Sequence, residues 1–294
     1  RGVLKPAEYN RPMPSHRPSP SDRTDKAGPL HVAFLGSGSS GNATAVTDGA
    51  TTVLVDCGFS AREIFRRCAL EGIDAATVSA VLLTHEHTDH TRGVRVFAKR
   101  TGAAVWATRG TRREAALDEA ADDVRTLSAG SPQRIGTLQV LPFRTSHDAA
   151  DPVGFRIESG GVAFGLVTDT GVLTPEAAEA LRAVDLLAIE SNHDLEMLER
   201  GPYPYHLKRR ISSATGHLSN HDAGAVVESV ARRVKNTWTV VILNGKQPTL
   251  EKRGAAVSQI LGSLRPSTYQ RESFAGRRAG ALNAERLGQM KEFI

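Results

Sequence analysis

Short apolar segments alternate with turn residues from His31 onward, and their periods predict an alternation of strands and helices. Strands are predicted at 31–35, 42–47, 51–56, 80–83, 103–107, 137–143, 153–158, 162–167, 185–189 and 238–243. Helices are predicted at about 60–71, 92–100, 111–120, 175–182 and 220–234. This order is typical of a layered α/β fold with mixed sheets, and it places a single catalytic domain at residues 30–250.

The two ends of the chain differ in composition from this domain. Residues 1–29 contain six of the 14 prolines and show no hydrophobic period, so we expect a disordered tail. Residues 251–294 form a divergent basic tail. The net charge of +5 comes from the ends, because residues 1–30 and 251–294 together carry +7 and leave about −2 for residues 31–250. The positive net charge of the chain is therefore weak evidence that the domain itself attracts a polyanion.

Two local clusters of basic residues have two possible roles. Both could bind phosphates, and both could equally be the solvated faces of helices. They are Arg92/Arg95/Lys99/Arg100 and Lys208/Arg209/Arg210. No apolar run reaches the roughly 18 residues that cross a bilayer, and no secretory signal is recognisable, so we expect a cytoplasmic protein without membrane insertion. Cys57 and Cys68 are too few for a disulfide framework, which favours buried, reduced thiols.

A glycine-rich segment after the first strand matches the dinucleotide-binding pattern G-x-G-x-x-G, with Asp56 as a candidate ribose ligand. That pattern requires a helix after the glycines. Here β-forming residues follow and lead through Asp48-Gly49, a hairpin signal, directly into another strand. We therefore expect a strand-to-strand loop close to a ligand. Its candidate hydrogen-bond donors are Ser39, Ser40 and Asn42.

The strongest chemical signal is His85-x-His87-x-Asp89-His90, which follows the apolar strand at 80–83. Residues two apart in an extended chain point the same way, so His85 and His87 can reach one ion. Asp89 and His90 follow on the turn into the next helix. Imidazole and carboxylate donors suit Zn²⁺, with Mn²⁺ or Fe as other occupants. A solvated histidine-rich loop would not explain why the cluster directly follows a buried strand.

This motif matches the H-x-H-x-D-H signature of the metallo-β-lactamase superfamily, and the later motifs resemble its YycJ (WalJ) branch. Those motifs are Thr145-Ser146-His147-Asp148, Thr168-Asp169-Thr170-Gly171, Glu190-Ser191-Asn192-His193-Asp194, Gly201-Pro202-Tyr203-Pro204-Tyr205 and Gly216-His217-Leu218-Ser219-Asn220. The resemblance covers about residues 31–241. It implies a four-layer αβ/βα sandwich, two divalent metal ions and a nuclease of nucleic acid, acting as a 5'-to-3' exonuclease on duplex DNA.

The resemblance also implies roles for individual residues. His147 would complete a first metal site with His85 and His87, and Asp169 would bridge to a second site that contains Asp89 and His90. Asp89 would also orient or deprotonate the attacking water. A turn or capping role is the alternative for His147 and for Asp169.

Two further residues outside the metal sites resemble a Glu and a His that help to protonate the leaving group in phosphodiesterase relatives. They are Glu190 and His217, with His217 as general acid, and an ordinary surface role is their alternative. Asp56 is expected to hold the His90 loop in place. Under this resemblance, the residues expected to line the substrate mouth are His193, Asp194, Tyr203 and Tyr205.

The resemblance fails at the last metal ligand. Where the family has a histidine after its final strand, this sequence has Asn244, whose neutral amide is a poor ligand for Zn²⁺. We therefore expect the second site to bind metal weakly, unless His217 completes it. Two other functions remain open: hydrolysis of a small ester, lactone or cyclic phosphate by the same fold, and a binding or regulatory role with impaired catalysis.

Overall fold

The computed structural model describes residues 28–231 and 238–243. Its first sheet has the strand order β1-β2-β3-β4-β5-β6. The strands are β1 (His31–Gly36), β2 (Ala43–Thr47), β3 (Thr52–Val55), β4 (Ala80–Leu82), β5 (Ala104–Thr108) and β6 (Val124–Leu127). β1, β2 and β3 are antiparallel neighbours, whereas β3 to β6 run parallel. The carboxyl ends of β3, β4 and β5 therefore meet at one edge of this sheet.

The second sheet has the order β12-β11-β10-β9-β8-β7. Its strands are β7 (Gln133–Ile135), β8 (Leu138–Arg144), β9 (Val153–Ser159), β10 (Val162–Val167), β11 (Leu186–Ser191) and β12 (Trp238–Leu243). The strands from β7 to β10 pair antiparallel, and β10, β11 and β12 pair parallel. Both sheets are thus mixed, as the sequence predicts.

Nine helices accompany the sheets within the described residues. They are α1 (Ala61–Leu70), α2 (Thr88–Thr91), α3 (Val94–Thr101), α4 (Arg109–Glu114), α5 (Leu117–Ala120), α6 (Pro175–Ala180), α7 (Leu195–Arg200), α8 (Tyr205–Ile211) and α9 (Asn220–Ala231), with one short 3-10 helix at Ala75–Thr77. In this part of the chain, no helix is long and apolar enough to span a bilayer.

Successive side chains of each strand point to opposite faces of its sheet, so each sheet packs against one layer on either side. In β3, Val53 and Val55 face a core shared by the two sheets, whereas Leu54 faces the opposite way. On that outer side Leu54 belongs to a second core with Ile64 of α1 and Phe97 of α3. A third core joins the second sheet to α6 and α9. The order helices, sheet, sheet, helices confirms the predicted αβ/βα sandwich.

Several elements differ from the sequence prediction. The helix predicted at 111–120 is two short helices, α4 and α5, because Ala116 between them adopts a left-handed conformation with φ of 47°. β6, β7, α7 and α8 were not predicted. β6 has only one buried residue, Leu127, so its sequence lacks the alternation that indicates a strand. The predicted C-terminal tail, nearly all of the N-terminal one, and Asn244 lie outside the described residues.

The glycine-rich segment follows the prediction. β1 and β2 form an antiparallel pair, and the loop between them has no room for a helix. A dinucleotide-binding crossover is therefore excluded at this position.

Candidate metal centre

Loops at one edge of both sheets converge on a cluster of histidines and carboxylates. His85, His87, Asp89 and His90 follow β4 of the first sheet. His147 follows β8, and Asp169 follows β10. The ligand atoms of His85, His87 and His147 lie within 4.8 Å of one another, as do those of His85, His90 and Asp169.

The first cluster consists of three imidazoles whose ring nitrogens face each other. Nδ1 of His87 lies 3.0 Å from Nε2 of His85 and 3.3 Å from Nε2 of His147. One ring nitrogen has a single proton or a single lone pair, so it cannot satisfy both neighbours by hydrogen bonding. Burial lowers the pKa of His85 well below its ordinary value, and His90 lowers it further. Burial also lowers the pKa of His147. Neutral, converging imidazoles fit a divalent metal ion.

The second cluster is centred on His90, which is fully buried. Its Nε2 lies 3.2 Å from Oδ2 of Asp169 and 3.7 Å from Oδ2 of Asp89. Burial opposes a charge on His90, but the carboxylates of Asp56 and Asp169 raise the pKa of His90 well above its ordinary value. Burial likewise opposes the ionised form of Asp169, yet His90 lowers the pKa of Asp169 well below its usual range. These carboxylates fit the same type of ion.

Asp56 fixes the orientation of the His90 ring. Its Oδ2 lies 2.8 Å from Nδ1 of His90. Its Oδ1 accepts hydrogen bonds from the backbone N–H of Thr84, at 2.9 Å, and from the Thr84 hydroxyl, at 3.0 Å. The same hydroxyl lies 3.0 Å from Nδ1 of His85. Asp56 and Thr84 therefore contact the sides of the two rings that face away from the clusters, as groups that orient metal ligands do. Thr84 has no recognisable signal in the sequence, because its contacts depend on the pairing of β3 with β4.

The half-buried His217 and the buried Glu190 form a pair beside both clusters. Nδ1 of His217 lies 3.1 Å from Oε2 of Glu190 and 3.4 Å from Oδ1 of Asp169. Oε1 of Glu190 accepts hydrogen bonds from the backbone N–H groups of Thr170 and Leu218, at 2.7 and 3.2 Å. Burial raises the pKa of Glu190. Burial lowers the pKa of His217, but its contact with Glu190 outweighs this and raises it overall.

His217 can be related to the metal sites in two ways. Its ligand atom lies within 4.8 Å of those of His147 and Asp169, so it also belongs to a third group that could hold an ion. Its bond to Glu190 instead suits a proton donor held in a fixed orientation.

The predicted substrate-binding residues fall into different environments. Ser39 and Ser40 are exposed. Asn42 is buried, with its Nδ2 at 3.0 Å from Nε2 of His90 and 3.4 Å from Oδ2 of Asp89, and its Oδ1 accepts the backbone N–H of Gly38 at 3.0 Å. This placement favours a role for Asn42 in positioning the Asp89 turn over contact with substrate.

His193 and Tyr205 lie on the loop and helix that follow β11. Both ring nitrogens of His193 are buried and lack a hydrogen-bond partner within the part of the chain that the structure describes. Burial lowers the pKa of His193, and nearby His217 lowers it further. Tyr205, at the start of α8, is 75% exposed. In the same helix, Arg210 pairs with Asp148, next to His147, a contact between residues too far apart in sequence for any local pattern to indicate.

The chain is similar to proteins of one known family. A family model described as the beta-lactamase superfamily domain matches residues 51–237. Exodeoxyribonuclease YycJ of Bacillus anthracis is 34% identical over 209 residues, which cover 68% of this chain and 77% of that protein. Exodeoxyribonuclease WalJ of Streptococcus pneumoniae is 34% identical over 212 residues, which cover 70% and 79%.

The solved structures agree on the fold. The metallo-beta-lactamase fold protein YhfI from Bacillus subtilis superimposes with a TM-score of 0.59 at 18% sequence identity, covering 79% of this chain and 93% of YhfI. The sheets of the sandwich and the converging histidines and carboxylates are consistent with that fold and with binding of a divalent metal. The chain therefore belongs to the beta-lactamase superfamily and has the metallo-β-lactamase fold.

Proposed function

We propose that this chain is a metal-dependent phosphodiesterase that degrades nucleic acid, with duplex DNA attacked from a 5' end as its expected substrate. The observation that carries the proposal is the pair of ligand clusters, in a chain that is 34% identical to a protein named exodeoxyribonuclease over 68% of its length. Imidazole and carboxylate groups on both sheet edges are the donors that dinuclear hydrolases use.

The two clusters would give each of two ions a ligand set. His85, His87 and His147 would hold the first ion, and Asp89, His90 and Asp169 the second. Zn²⁺ suits these donors best, with Mn²⁺ and Fe as alternatives. Divalent cations at these positions would supply a water nucleophile at neutral pH and stabilise the charge that develops on the phosphoryl oxygens.

The remaining roles belong to side chains around the clusters. The Asp89 side chain is 28% exposed, so its carboxylate can orient the attacking water and accept its proton. Glu190 holds Nδ1 of His217, which leaves the other ring nitrogen free to donate a proton to the leaving oxygen. Beyond these groups, the exposed Ser39 and Ser40, with His193, are proposed to contact the substrate.

The test is hydrolysis of 5'-labelled duplex DNA by the purified chain after reconstitution with Zn²⁺ or Mn²⁺. We expect release of nucleotides from the labelled end. Asp89→Asn should abolish this activity without changing the circular dichroism spectrum, because Asp89 lies in the short helix α2 and belongs to none of the three cores. Asp123→Asn is the matched control, since Asp123 is exposed and pairs with Arg125 away from the clusters.

Two results would contradict the proposal in different ways. If a generic phosphodiester is cleaved but DNA is not, a small ester or cyclic phosphate becomes the better substrate class. If the metal-loaded protein cleaves neither, the chain is a binding or regulatory member of the family.

A further inference from the structure

We propose that the tyrosine-basic surface, formed by Tyr203, Tyr205, Lys208 and Arg209, binds an unpaired segment of the nucleic-acid strand that enters the metal centre. The inference rests on the proposed function and adds the form in which the substrate is bound. Bases would stack on the tyrosine rings, and phosphates would contact the basic side chains.

The tyrosines of the tyrosine-basic surface are exposed, and packing within the protein does not account for two tyrosines there. Residues 202–206 are all exposed, and none of the seven residues of α8, every one of which the structure describes, is buried. Tyr203 is 52% and Tyr205 75% exposed. They are also the only tyrosines among the described residues. Two aromatic rings held in solvent on one short segment indicate a surface for a partner.

The C-terminal end of α8, opposite Tyr205, is held against the loops of the metal centre by several contacts. The carbonyl of Ile211 accepts the backbone N–H of His217 at 2.9 Å. Just beyond the helix, the Ala214 carbonyl accepts the Ser146 hydroxyl at 2.8 Å, one residue before His147. Gly171 packs so closely on the Ser213 carbonyl that a Cβ there would lie 2.3 Å from its oxygen. The orientation of α8 is therefore set by the loops that carry the ligands.

The length of α8 matches a short stretch of a strand. From Ile211 to Tyr205 the helix rises by about 9 Å, at about 1.5 Å per residue. Stacked nucleotides are about 3.4 Å apart along one strand, so this rise spans roughly two to three of them. A strand that runs along α8 from its Ile211 end can then place a base two or three nucleotides further on against Tyr205.

The side chains on this surface favour an unpaired strand over an intact duplex. The guanidinium of Arg209 lies 5.9 Å from the centre of the Tyr205 ring, so a cation and an aromatic face are presented together. Arg210 pairs with Asp148, whereas Arg209 has no carboxylate partner among the described residues. Aromatic faces stack on any base, and adjacent cations bind the backbone, which is typical of sequence-independent single-strand binding. Paired bases inside a duplex do not offer their faces for stacking.

The test measures binding to the Zn²⁺-loaded protein by fluorescence anisotropy, with phosphorothioate oligonucleotides to prevent cleavage. One probe is a single strand of about 15 nucleotides and the other is the blunt duplex of the same sequence. A stacked base contributes roughly one to two orders of magnitude to affinity. We therefore expect Tyr205→Ala to weaken single-strand binding at least about tenfold and duplex binding by less, and Tyr205→Phe to retain the affinity because it keeps the ring.

Arginine variants supply the charge control. Arg209→Ala should weaken single-strand binding and reduce the slope of log affinity against log salt by up to about one. Arg125→Ala should have no effect. Arg125 also lies over an aromatic ring, that of Trp106 at 5.3 Å, but it is on β6 at the far edge of the first sheet.

Unchanged single-strand affinity in Tyr205→Ala would overturn the inference and leave the surface to a protein partner. Equal losses for single strand and duplex would also overturn it, because they would indicate backbone contact without stacking. The test of this surface and the test of the proposed function can fail independently. DNA hydrolysis with no effect of Tyr205→Ala rejects only the surface, whereas loss of binding in Tyr205→Ala without any DNA hydrolysis rejects only the nuclease activity.

Discussion

Gly58 allows the Asp89 turn to approach the loop after β3, and we predict that Gly58→Ala destabilises the fold at this point. A Cβ on Gly58 would lie 1.6 Å from the carbonyl oxygen of Asp89 and 2.6 Å from the backbone nitrogen of Asn42. Real Cβ contacts are essentially never under 3.0 Å, so the Asp89 carbonyl would have to retreat by about 1.4 Å. The obstacle is backbone, which cannot rotate away as a side chain would.

The magnitude follows from the bonds that such a retreat would break. The Asp89 carbonyl accepts the N–H of Asn42 at 2.8 Å, and the Asn42 carbonyl accepts the N–H of Gly58 at 2.9 Å. Each backbone bond contributes about 1 kcal/mol, and overpacking adds roughly 1–3 kcal/mol. We expect a loss of about 3–5 kcal/mol in the free energy of unfolding, which corresponds to about 6–20 °C in melting temperature for a domain of this size.

The assay is thermal and urea unfolding of the metal-free protein, followed by circular dichroism. The metal content of the metal-loaded protein is measured in parallel. Gly224→Ala is the matched control, because Gly224 lies in α9 with nothing within 4 Å of the added Cβ. Alanine in a helix is favoured over glycine by about 0.5–1 kcal/mol, so this variant should be slightly more stable. Equal midpoints for Gly58→Ala and the unmodified protein would refute the packing argument.

Three further predictions concern the site and the thiols. His217→Ala should lower the hydrolysis rate by roughly 10²-fold with metal content unchanged, and loss of metal would show that His217 is a ligand. Asn244→His should raise the number of tightly bound metal ions from one to two in a titration of the metal-free protein, and an unmodified protein that already binds two would contradict this. Burial raises the pKa of the Cys57 thiol, and it raises that of Cys68 to about 12, so neither should react with a thiol reagent near pH 8 until the protein is denatured.

The part of the site that could be predicted from the residues alone is the part that is local in sequence. His85, His87 and His90 follow one apolar strand, so a strand-and-turn argument brings their side chains together. His147 and Asp169 come from other strands, and only the family resemblance associated them with the cluster. The burial of Asn42 against His90 depends on the pairing of distant loops, which no local pattern reports.

The same distinction holds for the fold. Long strands with buried faces, such as β9 and β10, have clear apolar patterns and were predicted within one or two residues. α8 has no buried residue and therefore no amphipathic period, so it was missed although it lies beside the site. The break between α4 and α5 is not predictable from the sequence, because alanine normally favours a continuous helix, whereas Ala116 adopts a left-handed conformation here.

The distribution of the metal-ligand candidates over both sheets has a consequence for folding thermodynamics. His85, His87 and His90 follow a strand of the first sheet, whereas His147 and Asp169 follow strands of the second, so each of the two proposed ions would connect the two sheets. A ligand that binds only the native state stabilises it by about 2.7 kcal/mol at a hundredfold excess over its dissociation constant. Because neither sheet has the complete set of donors for either ion, that linkage would act on the docking of one sheet against the other, and cellular metal supply would then determine how long the native sandwich survives.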